Sequence, residues 1–242
     1  CIRDRSYDAQ KNYEFLELFG DRVINGIIFE YIIDRYPFLE KSPSLDLLHT
    51  LKNNLISKNN LSMIARKMGF FPLISASQYD RENNEIDLLE DSFEAFCGAL
   101  IIITKKYNPE SRHRVVRSVI YSMIDSYVKI DLRYESLVDA VTRLKEFSAL
   151  FRMGIAYLNK PPVIKDGRSI FTVTVKVDAS RSSAAAFLRK MHTFEGSGIT
   201  IKDAKKASAE AAIQFFRGHK MVYVKKKFND TYKMYQEYVK HK

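Results

Sequence analysis

Near residue 130 the chain changes both the period of its apolar residues and its charge balance. Up to that point apolar side chains recur at helical spacing over 12–33, 45–68, 87–106 and 112–128, with Pro37, Pro43, Pro72 and Pro109 in the gaps. No strand is expected before residue 155. Residues 1–130 carry 17 Lys and Arg against 18 Asp and Glu, a net charge of −1, whereas residues 131–242 carry 22 against 11, a net of +11. A chain of 242 residues with such a seam is expected to fold as two modest domains rather than one. The expected division is an all-α domain over 1–130, a second domain over 136–217, and a basic tail over 218–242.

The second domain has a different texture. A helix is expected over 136–153 and an alanine-rich one over 203–216. Between them Phe, Val and Val alternate with Thr and Lys over 171–177, which is the period of a strand with one wet face. Partner strands are expected over 155–164, disturbed by Pro161 and Pro162, and over 191–198. The order is α-β-β-β-α, a small α+β domain, with a basic insertion over 179–190 that holds Arg181, Arg189 and Lys190. A basic half implies a polyanion as partner, nucleic acid or an anionic membrane. No apolar run reaches the eighteen or so residues of a membrane span, so no membrane span is indicated, and nucleic acid is the partner expected ahead of a membrane surface. The two cysteines, Cys1 and Cys97, argue against a disulfide framework and fit a reducing compartment. An intracellular protein is expected, with cytoplasm and nucleus both open.

Two sets of carboxylates stand where apolar residues dominate. Glu14, Glu17 and Asp21 fall at i, i+3 and i+7 and share one helix face; Asp91 and Glu94 fall at i and i+3 on a later helix. Acidic residues at such spacing are common on solvated helix surfaces. Here they are crowded by Phe15, Leu16, Leu18, Phe19, Phe93 and Phe96, and Gly20 and Gly98 allow the two helices to approach closely. Ionised carboxylates in apolar surroundings are costly unless paired or bound to a metal. Acidic faces converging from two packed helices would make an all-oxygen site suited to Mg²⁺, with Mn²⁺ as a substitute. The five histidines have no metal-ligand spacing, and Cys97 lacks a histidine to activate it.

The run Asn12-Tyr13-Glu14-Phe15-Leu16-Glu17-Leu18-Phe19-Gly20-Asp21 resembles the signature of the ribonuclease III family, and Glu90-Asp91-Ser92-Phe93-Glu94-Ala95 resembles its second acidic motif. The likeness extends over most of 5–125. It implies that Glu17, Asp21, Asp91 and Glu94 are catalytic, with Glu17, Asp91 and Glu94 as metal ligands and Asp21 supporting the metal or its water. It also implies a homodimer, with Leu18 at the interface, where the family places an aromatic knob.

In the basic half, the stretch around Lys202, Lys205 and Lys206 resembles the last helix of the double-stranded-RNA-binding domain, and Leu144-Lys145-Glu146-Phe147 resembles its first. The resemblance implies that Glu146 reads the minor groove. Lys165 and Arg168 lie in the loop between the first two expected strands and are expected to touch phosphate, as are the lysines at a helix N-terminus. Such domains recognise A-form shape, 2′-hydroxyls and phosphates rather than base sequence. The whole resembles a metal-dependent endoribonuclease for double-stranded RNA, which leaves 5′-phosphates, 3′-hydroxyls and short 3′ overhangs. The alternative is a non-catalytic double-stranded-RNA-binding subunit on the same fold.

Overall fold

The computed structural model describes residues 13–41, 44–165, 168–183 and 186–241. Cys1, Asn12 and Pro43, which entered the sequence reading, lie outside them. The chain divides into two compact units. One comprises the residues up to Leu132 together with those from Thr231 on; the other is Arg133–Asp230.

The first unit is helical. Its elements are α1 (Glu14–Arg35), α2 (Leu45–Leu55), α3 (Lys58–Lys67), α4 (Gln78–Asn83), α5 (Glu85–Tyr107) and α6 (Arg112–Tyr127), with short 3-10 turns at Pro37–Lys41 and Phe71–Leu73. The expected helix over 45–68 is two helices. Ser57 takes an extended conformation (φ −66°, ψ 145°), and no glycine or proline marks the break. The core is built from Ile24, Ile27, Ile28 and Ile32 of α1, Leu61 and Ile64 of α3, Leu88, Leu89 and Phe93 of α5, and Val116 and Ile120 of α6. α1 and α5 are the central pair. A Cβ on Gly20 would lie 1.8 Å from the Glu94 carbonyl oxygen, and one on Gly98 would lie 2.2 Å from that of Leu16. The two backbones therefore touch at this crossing, as only small residues permit.

The second unit holds α7 (Tyr134–Leu137), α8 (Ala140–Leu150), β1 (Gly154–Asn159), β2 (Val163–Lys165), β3 (Arg168–Asp178), β4 (Met191–Gly198) and α9 (Ile201–Gly218). The expected helix over 136–153 begins only at Ala140, because Asp139 is an N-cap whose carboxylate accepts from the amides of Val141 and Thr142. The sheet has four strands where three were expected, since Pro161 and Pro162 divide the first into β1 and β2; a proline cannot donate to a ladder. β3 is central and antiparallel to all three neighbours. Val175 and Val177 pack beneath Leu144, Phe147, Ala209, Ala212 and Phe216 of α8 and α9.

The stretch 218–242, read from sequence as a tail, contains a further helix, α10 (Lys226–Lys240). Phe228 near its start lies edge-on to Tyr134. In the first unit, Tyr235 packs on Tyr36 and Phe38, and Tyr238 on Phe38. Among the described residues no helix is long and apolar enough to cross a membrane.

Candidate functional site

The α1–α5 crossing decides where the unusual carboxylates go. Glu17 and Asp21 flank Gly20 on one helix, and Asp91 and Glu94 precede Gly98 on the other. All four side chains are half-buried. Their convergence is felt by Glu94. Its carboxyl is pushed up to about 8, first by burial and then by the negative charges of Asp21, Glu90, Glu17 and Asp91. The four residues expected from sequence are thus brought together, with Glu90 added. Glu14, on the same face by spacing, is exposed.

Two lysines border the cluster that sequence reasoning missed. Asn25 donates through Nδ2 to Asp21 Oδ1 (2.8 Å) and to the Asp21 carbonyl (2.9 Å), while Lys52 Nζ donates to Asn25 Oδ1 (2.9 Å). Asp21 is therefore tied through an amide to a cation on α2. Lys58 at the start of α3 bridges Asp87 (2.9 Å) and Glu90 (3.0 Å), and these two hydrogen bonds raise its ammonium above the usual lysine range. A signal for Lys52 was present: it follows buried Leu48 by four residues and precedes buried Leu55 by three, so it lies on the apolar face of its helix.

The donor set is all oxygen, and its mutual repulsion is the condition a divalent cation relieves, so the residues fit such an ion by chemistry. As placed, no three His, Cys, Asp or Glu side chains among the described residues form a metal cage. Leu18 and Phe15 point away from the core, 63% and 69% exposed, and Phe15 stacks on Phe19 with ring centroids 6.3 Å apart.

In the second unit, Lys202, Lys205 and Lys206 occupy the first two turns of α9. Thr200 caps that helix, accepting from the Asp203 amide (3.1 Å) and donating to its carboxylate (2.6 Å). Lys205 Nζ lies 4.4 Å from the centroid of the Tyr157 ring. Lys206 faces Asp139. Burial raises the Asp139 carboxyl, but hydrogen bonds from Thr142 and Val141, together with the Lys206 charge, outweigh it and hold the group below the usual range. Lys165 of β2 and Arg168 of β3 are cross-strand partners, and both are exposed. Phe171 pairs with Gly198, so the Lys165–Arg168 pair and the start of α9 lie at the same end of the sheet. Glu146 accepts a hydrogen bond from the Tyr134 hydroxyl and lies 3.9 Å from Lys225 Nζ.

Residues 14–104, which include all four carboxylates, match the ribonuclease III domain. A putative ribonuclease 3 of Invertebrate iridescent virus 6 is 30% identical over 227 residues, covering 88% of this chain and 75% of the viral protein. Ribonuclease 3 of Limosilactobacillus fermentum is 26% identical over 223 residues, covering 89% of this chain and 85% of the bacterial one. The nuclease domain of ribonuclease III from Campylobacter jejuni aligns over 52% of this chain and 83% of its own, with a TM-score of 0.44 and 21% identity. The class is that of an endoribonuclease acting on double-stranded RNA. The chain belongs to the ribonuclease III family.

Proposed function

We propose that this chain cuts double-stranded RNA by metal-assisted hydrolysis, leaving 5′-phosphate and 3′-hydroxyl ends with short 3′ overhangs. The observation that carries the reading is the convergence of Glu17, Asp21, Glu90 and Asp91 on half-buried Glu94. Glu17, Asp91 and Glu94 are the residues to hold Mg²⁺, or Mn²⁺ in its place. A bound ion of this kind supplies Lewis acidity toward the scissile phosphate and lowers the pKa of water. Asn25 fixes the rotamer of Asp21 by binding Oδ1 and leaves Oδ2 to orient water, while Lys52 fixes the direction of the Asn25 amide. Lys52 also keeps a positive charge beside a cluster that must admit a phosphate anion. Incubation of the chain with a plain RNA duplex, with Mg²⁺ and with chelator, tests the reading. Cleavage in Mg²⁺ alone, with 5′ ends that ligate without a kinase step, is expected. An intact duplex under both conditions would refute it.

The domain over 136–217 serves as the double-stranded-RNA-binding part. Lys202, Lys205, Lys206, Lys165 and Arg168 stand at one end of its sheet to meet phosphates. Glu146, oriented by Tyr134, has lone pairs left for 2′-hydroxyl donors. Reversing the charge of Lys205 and Lys206 together should weaken duplex binding about tenfold or more. It should also flatten the dependence of log affinity on log salt by roughly 1 to 2 units. Unchanged affinity and slope would remove these lysines from the interface.

The partner of the first unit is a second copy of this chain. Two staggered cuts need two acidic sites at fixed spacing, which a C₂ dimer supplies. Phe15 and Leu18 offer the exposed apolar surface for it. Leu18→Asp should raise the dimer dissociation constant by about tenfold or more, by placing an unpaired charge in that contact. Sedimentation of wild type and variant checks this; a wild type that stays monomeric while making staggered cuts would overturn it.

A further inference from the structure

Three features lie outside the acidic site and its supports: the shallow pocket bounded by Tyr134, Arg143 and Arg217, the basic face of α10, and the contact between Lys205 and Tyr157. The third carries an inference furthest, because it joins a residue already proposed to bind RNA to one that nothing so far explains.

Tyr157 sits on β1 opposite Val175 of β3, with its ring packed against the core of the second unit. Its hydroxyl is buried without a hydrogen-bond partner among the described residues. Burial and then the charge of Asp139 push that hydroxyl up to about 12. An orphan buried hydroxyl is a net cost to the fold, so the hydroxyl does not account for this side chain. The ring has a use: Lys205 Nζ lies over it at 4.4 Å from the centroid, within the range of a cation–π contact. Lysine has a long stem whose rotamers must be ordered when its ammonium meets a phosphate. A contact that orders the stem beforehand lowers that cost. The neighbouring lysine is restrained differently. Lys206 faces the carboxylate of Asp139, which offsets its charge, whereas Lys205 is held by a neutral ring that leaves its charge whole.

We propose that Tyr157 is a positioning residue for duplex-RNA binding, its ring face holding the Lys205 ammonium ready at the start of α9. This rests on the reading of the second unit as the RNA-binding part. Ring face and hydroxyl separate cleanly by substitution, since phenylalanine keeps the first and removes only the second.

The test uses the full chain in chelator, so that a labelled RNA duplex is bound and not cut, with Tyr157→Phe, Tyr157→Leu, Lys205→Ala and the double variant Tyr157→Leu/Lys205→Ala. Tyr157→Leu should weaken binding about two- to fivefold, the scale of one exposed cation–π contact, while keeping the salt dependence of wild type because Lys205 is still present. Tyr157→Phe should bind as wild type. In the Lys205→Ala background the leucine change should cost nothing further, an outcome that general damage to the fold would not give. The methylene protons of Lys205 should show an upfield ring-current shift in the free protein, present in wild type and Tyr157→Phe and lost in Tyr157→Leu. Equal losses in the two Tyr157 variants, an undiminished cost without Lys205, or no ring-current shift in wild type would each overturn the proposal. A wild type that shows the shift yet binds no duplex would instead refute the RNA-binding reading, leaving Tyr157 nothing to position for.

Discussion

Replacing Glu94 with glutamine should yield a protein that binds duplex RNA about as well as wild type and cuts it at least about a thousandfold more slowly, on the scale of removing a group essential to the chemistry. The substitution keeps the volume of a half-buried side chain and removes the charge on which Glu17, Asp21, Glu90 and Asp91 converge. The same variant should be the more stable protein when no divalent ion is present. The folded carboxyl is raised to about 8, above its ordinary value of 4.5, so it keeps its proton when the unfolded chain has lost it. Stability of the ion-free wild type is therefore lost as pH rises from about 4.5 to about 8. Glutamine has no such loss. Because the side chain is only partly buried, the gain above pH 8 is discounted to the order of 1 kcal/mol. Thermal unfolding in chelator at pH 4 and pH 9 would show equal stabilities at the first and a more stable variant at the second. Added Mg²⁺ should raise the melting temperature of wild type and leave that of the variant where it was. Fast cleavage by the variant in Mg²⁺ would end the assignment of Glu94 as a metal ligand.

Gly98→Ala should destabilise the first unit strongly through a single added methyl group. Its Cβ would lie 2.2 Å from the Leu16 carbonyl oxygen and 3.1 Å from the Gly20 amide nitrogen. Both are backbone atoms in a helix and cannot turn aside, so α1 and α5 must separate. A loss of about 3 kcal/mol or more is expected, and cleavage should fall with it because the two acidic pairs move apart. Gly26→Ala, on the solvent side of α1, is the matched control. Nothing lies within 4 Å of its Cβ, and alanine in a helix interior gains about 0.5–1 kcal/mol over glycine. Chemical denaturation of both variants measures the contrast. Similar stabilities for the two would mean that the helices do not meet as closely as the carbonyl distances require.

How much could be read before the fold was known varies with the signal. The carboxylates of α1 and α5 were legible because charge at i, i+3 and i+7 inside an apolar run is conspicuous. The close crossing was legible because Gly20 and Gly98 stand in the same two runs. The boundary between α2 and α3 was not. It is made by the backbone of Ile56 and Ser57, within a stretch whose apolar period continues on both sides. Asp139 was hidden for the opposite reason: it is a strong cap, but it falls among residues that already looked helical. Lys52 was overlooked because a lysine on a helix reads as solvent-facing until the phase of Leu48 and Leu55 is followed through it. The helix α10 was masked by its own lysines, which suggested a solvated tail, although Tyr235 and Tyr238 recur at a spacing of three. Its place beside Tyr36 and Phe38 depends on contacts nearly two hundred positions apart, which no local pattern encodes.

That last contact bears on the order of synthesis. A ribosome releases Tyr36 and Phe38 early and Tyr235 only after every residue of the second unit has emerged. The aromatic seat in the first unit must therefore stay open while residues 133–230 are being made. The second unit has all its residues available before the first does, so it can reach its native state first during translation, and the nuclease portion is completed last.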